Sequence, residues 1–182
     1  MFVLALAVVS IGFNACKDDD NDDNQDGTAS LKVSMSNTIT ANREYSEVNI
    51  DIQQISVNVS ADSNATSGWV DLETIAGIYD LLEFASGNDT LLAFDTVLTV
   101  QTINQIRLKL GENNTVVDGG ETYELITPSG QTSGLKIPVE VTLQPGFAYM
   151  VVLDFDPYQS VVKTGNGKYN LKPVIKATVV PL

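Results

Sequence analysis

The chain has 182 residues, of which 43% are hydrophobic and 18% charged, with a net charge of −13, one cysteine and no histidine; this is the composition of a folded globular protein, not a disordered one. The missing histidine excludes Ser-His-Asp and Cys-His nucleophile pairs, histidine general bases and the common zinc ligand sets, leaving carboxylate, lysine or tyrosine chemistry. Ten Lys and Arg scattered from Lys17 to Lys176 form no basic stripe, which excludes nucleic acid as a partner and electrostatic binding to anionic lipid.

In chain order, residues 2–13 are nearly all apolar. They fall well short of the roughly 20 residues that span a bilayer as a helix, and they fit the hydrophobic core of a signal peptide, with small Ala15 before Cys16 as the cleavage position. Cys16 has no disulfide partner within the chain, so the core has to fold without a covalent staple. Residues 17–28, KDDDNDDNQDGT, carry no apolar side chain and a charge of −5; mutual repulsion makes them an extended, solvated tether. The remaining 154 residues carry −8 and are the size of one domain.

From Ala29 short alternating runs begin. Leu31, Val33 and Met35 share one face, with Lys32, Ser34 and Ser36 on the other, the period-2 pattern of a half-buried strand. A polar turn at Asn42 and Arg43 follows. Val48, Ile50 and Ile52 then alternate in one phase and Ile55, Val57 and Val59 in the other; the slip at Gln53–Gln54 predicts a β-bulge or a strand that changes sheets. Residues 60–68 are loop by composition, and Trp69, Val70 and Leu72 start a strand. Ile78–Phe84 reads as a strand or as the start of a short helix.

Residues 91–100 and 103–110 are expected strands, with Ile106, Leu108 and Leu110 inward and Arg107 and Lys109 outward. Gly119–Gly120 between TVVD and ETYEL supplies the positive φ angles of a tight hairpin. Residues 135–143 alternate cleanly, and Gln144–Pro145–Gly146 turns the chain. Phe147–Phe155, apolar at nearly every position, predicts a central strand covered on both faces. A last strand from Tyr169 to Val180 carries Pro173, expected at an edge or a bulge because it cannot donate to a ladder. Nine or ten strands with frequent turn signals and no long helix predict an all-β domain, a single β-sandwich of immunoglobulin-like or transthyretin-like kind.

Two resemblances accompany this reading. Phe13-Asn14-Ala15-Cys16-Lys17 after an apolar run resembles the lipid-attachment junction of bacterial lipoproteins, although Phe13 stands where such junctions usually carry Leu and no Lys or Arg precedes the run. The resemblance implies acylation of Cys16 by palmitate-type chains after removal of the leader. In lipoproteins of Bacteroidetes, acidic residues directly after the acylated cysteine, as in Lys17, Asp18, Asp19 and Asp20, look like the signal for the outer face of the outer membrane. The segments EYSEVNIDIQQISVNVS, GWVDL, IYDLLEFASGNDTLLA, INQIRLKLGENNTVV, YELITPSGQTSGLKI and LDFDPYQSVVKTGNGKYNLKPVI together resemble the family known as domain of unknown function 4382, common in lipoproteins of Bacteroidetes. That resemblance implies no activity and no catalytic residues. Asn37–Thr38 departs from the family, where many relatives place an aspartate before a proline.

The expected organisation is a lipoprotein signal peptide over 1–15, an acylated Cys16 with an acidic tether over 16–28, and the sandwich over 29–182. Three constellations deserve weighing for chemistry. Asp154 and Asp156 on one strand face, with Asn166 and the TGNG carbonyls, would suit calcium, which takes 6–8 oxygens at about 2.3–2.6 Å; the favoured reading is that Asp156 caps the turn at Pro157 and Asp154 meets an Arg or a backbone amide. Trp69, with Tyr79, Tyr123, Tyr149, Tyr158 and Tyr169, would form a sugar-stacking platform or fill the core and shield edges. Paired carboxylates would serve a hydrolase, but 17 acidic residues in the domain make some pair inevitable.

The resulting expectation is a non-enzymatic envelope lipoprotein, anchored in the outer membrane through lipid and exposed at the cell surface, displaying the domain for binding or adhesion to a glycan or to an envelope or host protein. No cofactor and no metal are expected. The alternative is a carbohydrate-binding accessory module of a surface glycan-uptake system.

Overall fold

The computed structural model describes residues 27–37, 45–60, 67–84, 88–99 and 102–182. The leader over 1–15, Cys16, the acidic run at Lys17, Asp18, Asp19 and Asp20, and the turn at Asn42 and Arg43 lie outside the described residues.

The first strands are β1 (Thr28–Ser36), β2 (Glu47–Asn58), β3 (Trp69–Asp71), β4 (Glu73–Thr74) and β5 (Gly77–Asp80). The middle of the chain forms β6 (Thr90–Thr99), β7 (Thr102–Leu110), β8 (Thr115–Asp118) and β9 (Glu121–Ile126), then a one-turn helix α1 (Pro128–Thr132). β10 (Leu135–Thr142), β11 (Ala148–Phe155), the short helix α2 (Pro157–Ser160), β12 (Val161–Lys163), β13 (Tyr169–Leu171) and β14 (Ile175–Pro181) complete it. The architecture is an all-β sandwich. One sheet has the order β14-β11-β1-β6-β4; the other runs β10-β7-β2-β8-β9-β13-β12, with β3 and β5 also paired to β2. There are fourteen strands among the described residues, more than nine or ten, because the run after Gly68 breaks into three short strands that change sheets between Asp71 and Glu73.

The core lies between the sheets. Leu31, Val33 and Met35 from β1, Ile50, Ile52, Ile55 and Val57 from β2, and Val151, Leu153 and Phe155 from β11 are all buried, as their alternation requires. Burying a Leu, Ile, Val or Phe side chain is worth about 1.5–3 kcal/mol, so the sandwich holds together by this shared layer. Ser34 and Ser36 are buried as well, against expectation. β1 is interior to its sheet, and Ser34 lies directly opposite Leu91 and Val152; a small side chain flanked by two larger ones on neighbouring strands is shaded from solvent.

The phase slip at Gln53–Gln54 is a β-bulge: the register of β2 against β7 shifts between Ile52 and Gln54. The Gly119–Gly120 hairpin forms, with φ of 62° and 85°, and joins β8 to β9. At the Gln144–Pro145–Gly146 turn the Phe147 amide donates to the Gln144 carbonyl at 3.2 Å. Gly77–Asp80 is strand followed by a turn over 81–84, so the strand reading holds there.

Two expectations change. β11 sits between β1 and β14, but only its core face is fully buried and the other face is half-buried; Phe147 precedes the strand and is exposed. The expected strand Tyr169–Val180 is two strands in different sheets, β13 beside β9 and β14 beside β11. Pro173 lies in the connection between them, neither at an edge nor in a bulge, because its fixed φ and missing N–H end the ladder there. Ser160 secures this crossover: the Lys172 amide donates to its carbonyl and the Val174 amide to its hydroxyl.

Candidate functional site: the outer face of the larger sheet at Trp69

Cross-strand register sets side by side, on the outer face of the nine-stranded sheet, residues far apart in sequence. Asp71 on β3 is opposite Ser56 on β2, Ser56 is opposite Arg107 on β7, and Arg107 is opposite Lys136 on β10. The neighbouring row reads Trp69, Asn58, Gln105 and Pro138. Trp69 is half-buried, and the Arg107 guanidinium carbon lies 4.3 Å from its ring centroid, with Lys136 Nζ at 5.8 Å. Both are cation–π distances.

Arg107 is held from several sides. Its Nη2 donates to Ser56 Oγ at 3.1 Å and lies 3.8 Å from Asp71 Oδ1, while Ser56 Oγ donates to Asp71 Oδ1 at 2.6 Å. Its aliphatic stem crosses Gly134, where φ is +76° and a Cβ would fall 2.6 Å from Arg107 Cγ, so glycine fits that position on two counts. Gln105 Oε1, in the Trp69 row, is buried and finds no hydrogen-bond partner among the described residues.

Beside Lys136 an open groove of about 500 Å³ runs along the edge of β10, lined by Lys136, Pro138, Pro173 and Ile175. A larger one of about 880 Å³ continues past Asn104 and Glu140 towards Lys176 and Thr178. β10 and β14, the edge strands of the two sheets, flank both.

The expected tyrosine platform does not assemble around Trp69. Tyr169 is fully buried, with the Tyr45 ring edge-on at 6.3 Å and the Tyr123 ring at 4.9 Å. Tyr149 is buried in the other sheet and accepts from the Gln144 amide, and Tyr79 donates to the Ile75 carbonyl at 2.6 Å. Tyr158 follows the cap of α2. These rings fill the core and close loops; Trp69 is stacked with cations instead.

The acidic candidates serve the scaffold. Asp156 caps α2, its Oδ1 accepting from the Tyr158 and Gln159 amides at 3.1 and 3.0 Å and its Oδ2 from Gln159 Nε2. Asp154 lies directly opposite Lys176 and Ser36. Asn166 accepts from Thr164 within the β12–β13 turn. Among the described residues no group of three or more Asp, Glu, Cys or His gathers closely enough to hold a metal ion. Asp118 accepts from Lys163 Nζ at 2.8 Å and from Tyr169 Oη; those hydrogen bonds pull its carboxyl below the usual range and push the Lys163 ammonium up. The Tyr123 hydroxyl donates to Glu121 and is raised by it.

Sequence reasoning singled out Trp69 but missed Ser56, Asp71, Arg107 and Lys136. The signal for Arg107 was present, since its outward phase was legible; its neighbours follow only from the register of four strands.

A search of curated proteins returns no match. Among solved structures, the tip fimbrial protein Mfa3 from Porphyromonas gingivalis with C-terminal truncation is 16% identical, with a TM-score of 0.29 over 86% of this chain and 52% of that one. The chain thus spans about half the length of that protein. The family model described as Domain of unknown function (DUF4382) matches residues 28–173, and the chain belongs to this family.

Proposed function

We propose that the protein is a non-enzymatic envelope lipoprotein, held in the outer membrane by acyl chains on Cys16 and displaying the sandwich at the cell surface for binding or adhesion. The observation that carries the binding reading is the ordered outer sheet face, where a half-buried Trp69 is stacked with Arg107 beside open grooves, while Asp51, Asp118 and Asp156 are engaged in scaffold hydrogen bonds. The anchor rests on the Cys16 junction and the surface address on Lys17, Asp18, Asp19 and Asp20. A single acyl chain gives reversible attachment on the order of 10⁴ M⁻¹, so several chains are required.

The test has two parts. Cys16→Ser is expected to release the protein from the membrane or trap its precursor, and unchanged retention would refute the anchor. An impermeant protease on intact cells, with disrupted cells as control, is expected to remove the domain; protection would move it inside the envelope and end the adhesion reading.

The Trp69 geometry favours a second reading, a carbohydrate-binding accessory module of a surface glycan-uptake system. The indole is the chain's one tryptophan, so its emission reports that face alone; titration with soluble polysaccharides that leaves it unchanged counts against this reading.

A further inference from the structure

Resting on the carbohydrate-binding reading, we infer that the Trp69 face takes an acidic oligosaccharide: one carboxylate-bearing sugar ring stacks at the indole, its carboxylate is held between Arg107 and Lys136, and the chain continues into the groove at the edge of β10.

The charge pattern is the first support. Arg107 and Lys136 are directly opposite on antiparallel neighbours, where like charges repel. Among the described residues the largely exposed Asp71 pairs with Arg107 and no carboxylate pairs with Lys136, so one positive charge in this row is left without an ion pair there. On a chain of net charge −13, an anionic ligand meets repulsion over most of the surface and attraction here.

The second support is preorganisation. Arg107 is fixed by Ser56, Gly134 and the Trp69 ring, and its hydrogen bond and ion pair are both made by Nη2. Nε and Nη1 make no hydrogen bond among the described residues, so each can donate a charge-assisted hydrogen bond to a ligand oxygen. Fixing the guanidinium beforehand removes the ordering cost that a mobile arginine adds to binding.

The third is continuity. Lys136 lies within cation–π reach of the indole and also lines the groove of about 500 Å³, so a ligand that starts at Trp69 has a path past Lys136 between Pro138 and Pro173. An acidic pyranose joins an apolar C–H face, suited to an indole, to rim hydroxyls and a carboxylate. The flat, polar-rimmed sheet face offers the complement to each.

The test uses the full chain at low salt, followed by Trp69 emission. The probes are tetragalacturonate, its methyl ester, sialyllactose and an oligo-aspartate peptide. At least one of the two acidic sugars is expected to change the emission saturably, which also separates uronate from sialate as the source of the carboxylate. The ester should bind tetragalacturonate's site roughly tenfold more weakly, the loss of about one charge-assisted contact. Lys136→Gln, at an exposed position, should weaken acid binding similarly, each titration being read against that variant's own unliganded emission, with the fold checked by its unfolding midpoint. Equal binding of acid and ester, equal binding by Lys136→Gln, or tighter binding of the aspartate peptide would overturn the inference. A neutral glycan that binds at Trp69 in place of the acids would overturn it while sustaining the carbohydrate reading. Silence toward acidic and neutral glycans alike would end both.

Discussion

The Gly111 amide donates to the Asp51 carbonyl at 2.7 Å, and a Cβ on Gly111 would fall 2.6 Å from Asp51 Cγ. Asp51 is buried and accepts from the Asn113 amide and side chain and from Gln53, while its own amide donates to Asn114 Oδ1 at 2.9 Å. The loop from β7 to β8 is thereby folded over an acidic side chain that would be costly to bury unpartnered. Gly111→Ala has no room to be accommodated without moving that carboxylate. Overpacking of this kind costs about 1–3 kcal/mol, and urea unfolding should show a lower midpoint with an unchanged slope. A midpoint equal to wild type would mean that the loop is free to shift.

Asp156 offers a cleaner separation between a cap and a metal ligand. Its Oδ1 and Oδ2 both accept hydrogen bonds from the first turn of α2. Asp156→Ala should cost about 0.5–2 kcal/mol and Asp156→Asn much less, as for other N-caps. Calcium should leave the melting temperature of the wild type where chelator leaves it. A calcium-dependent rise abolished by Asp156→Asn would reverse the assignment.

Much of the fold was legible because its determinants are local. The Gly119–Gly120 turn needs only two positive φ angles, and the phase slip at Gln53–Gln54 is visible in the order of Ile52 and Ile55 alone. The break at Pro173 was misread because the alternation of Leu171, Ile175 and Ala177 continues across it, although the two halves join different sheets. Leu171 is buried and Ile175 and Ala177 are half-buried, so one period-2 pattern served two ladders. The Trp69 face was legible only in part. Its members come from β2, β3, β7 and β10, and no local pattern in any of them names its partners across the sheet.

The bulge itself has a measurable role. Gln54 Nε2 donates to the Ile55 and Leu72 carbonyls at 3.0 and 2.9 Å and approaches Thr74 Oγ1 at 3.1 Å. It thus pins the point where the chain passes from β3 in one sheet to β4 in the other. Gln54→Ala removes these bonds but leaves the Ile55 carbonyl paired with the Leu72 amide and the Leu72 carbonyl with Thr74 Oγ1, so the cost is that of lost hydrogen bonds without an orphaned group, about 0.5–1.5 kcal/mol. Hydrogen exchange should quicken at the Leu72 and Ile55 amides before the rest of β2; uniform exchange would show that the crossover is held by something else.

The Asp118–Lys163 pair sets a pH signature for the β8, β12 and β13 end of the sandwich. Lys163 and Tyr169 hydrogen-bond the Asp118 carboxylate, so its folded-state pKa is depressed. Its contribution to stability is present above the ordinary carboxylate range and is lost as pH falls through the lowered value. Hydrogen bonding to Asp118 raises Lys163, so that share is fully present below the unfolded lysine value of about 10.4 and is lost as pH rises through the folded value. The two limits leave a plateau from roughly pH 5 to 10. Asp118→Asn should lower the urea midpoint by a constant amount across that plateau, with the difference from wild type closing in acid. Lys163 is half exposed, so the difference should also shrink as salt is added. A gap between wild type and Asp118→Asn that persists undiminished at pH 2 would show that Asp118 acts through packing and not through its charge.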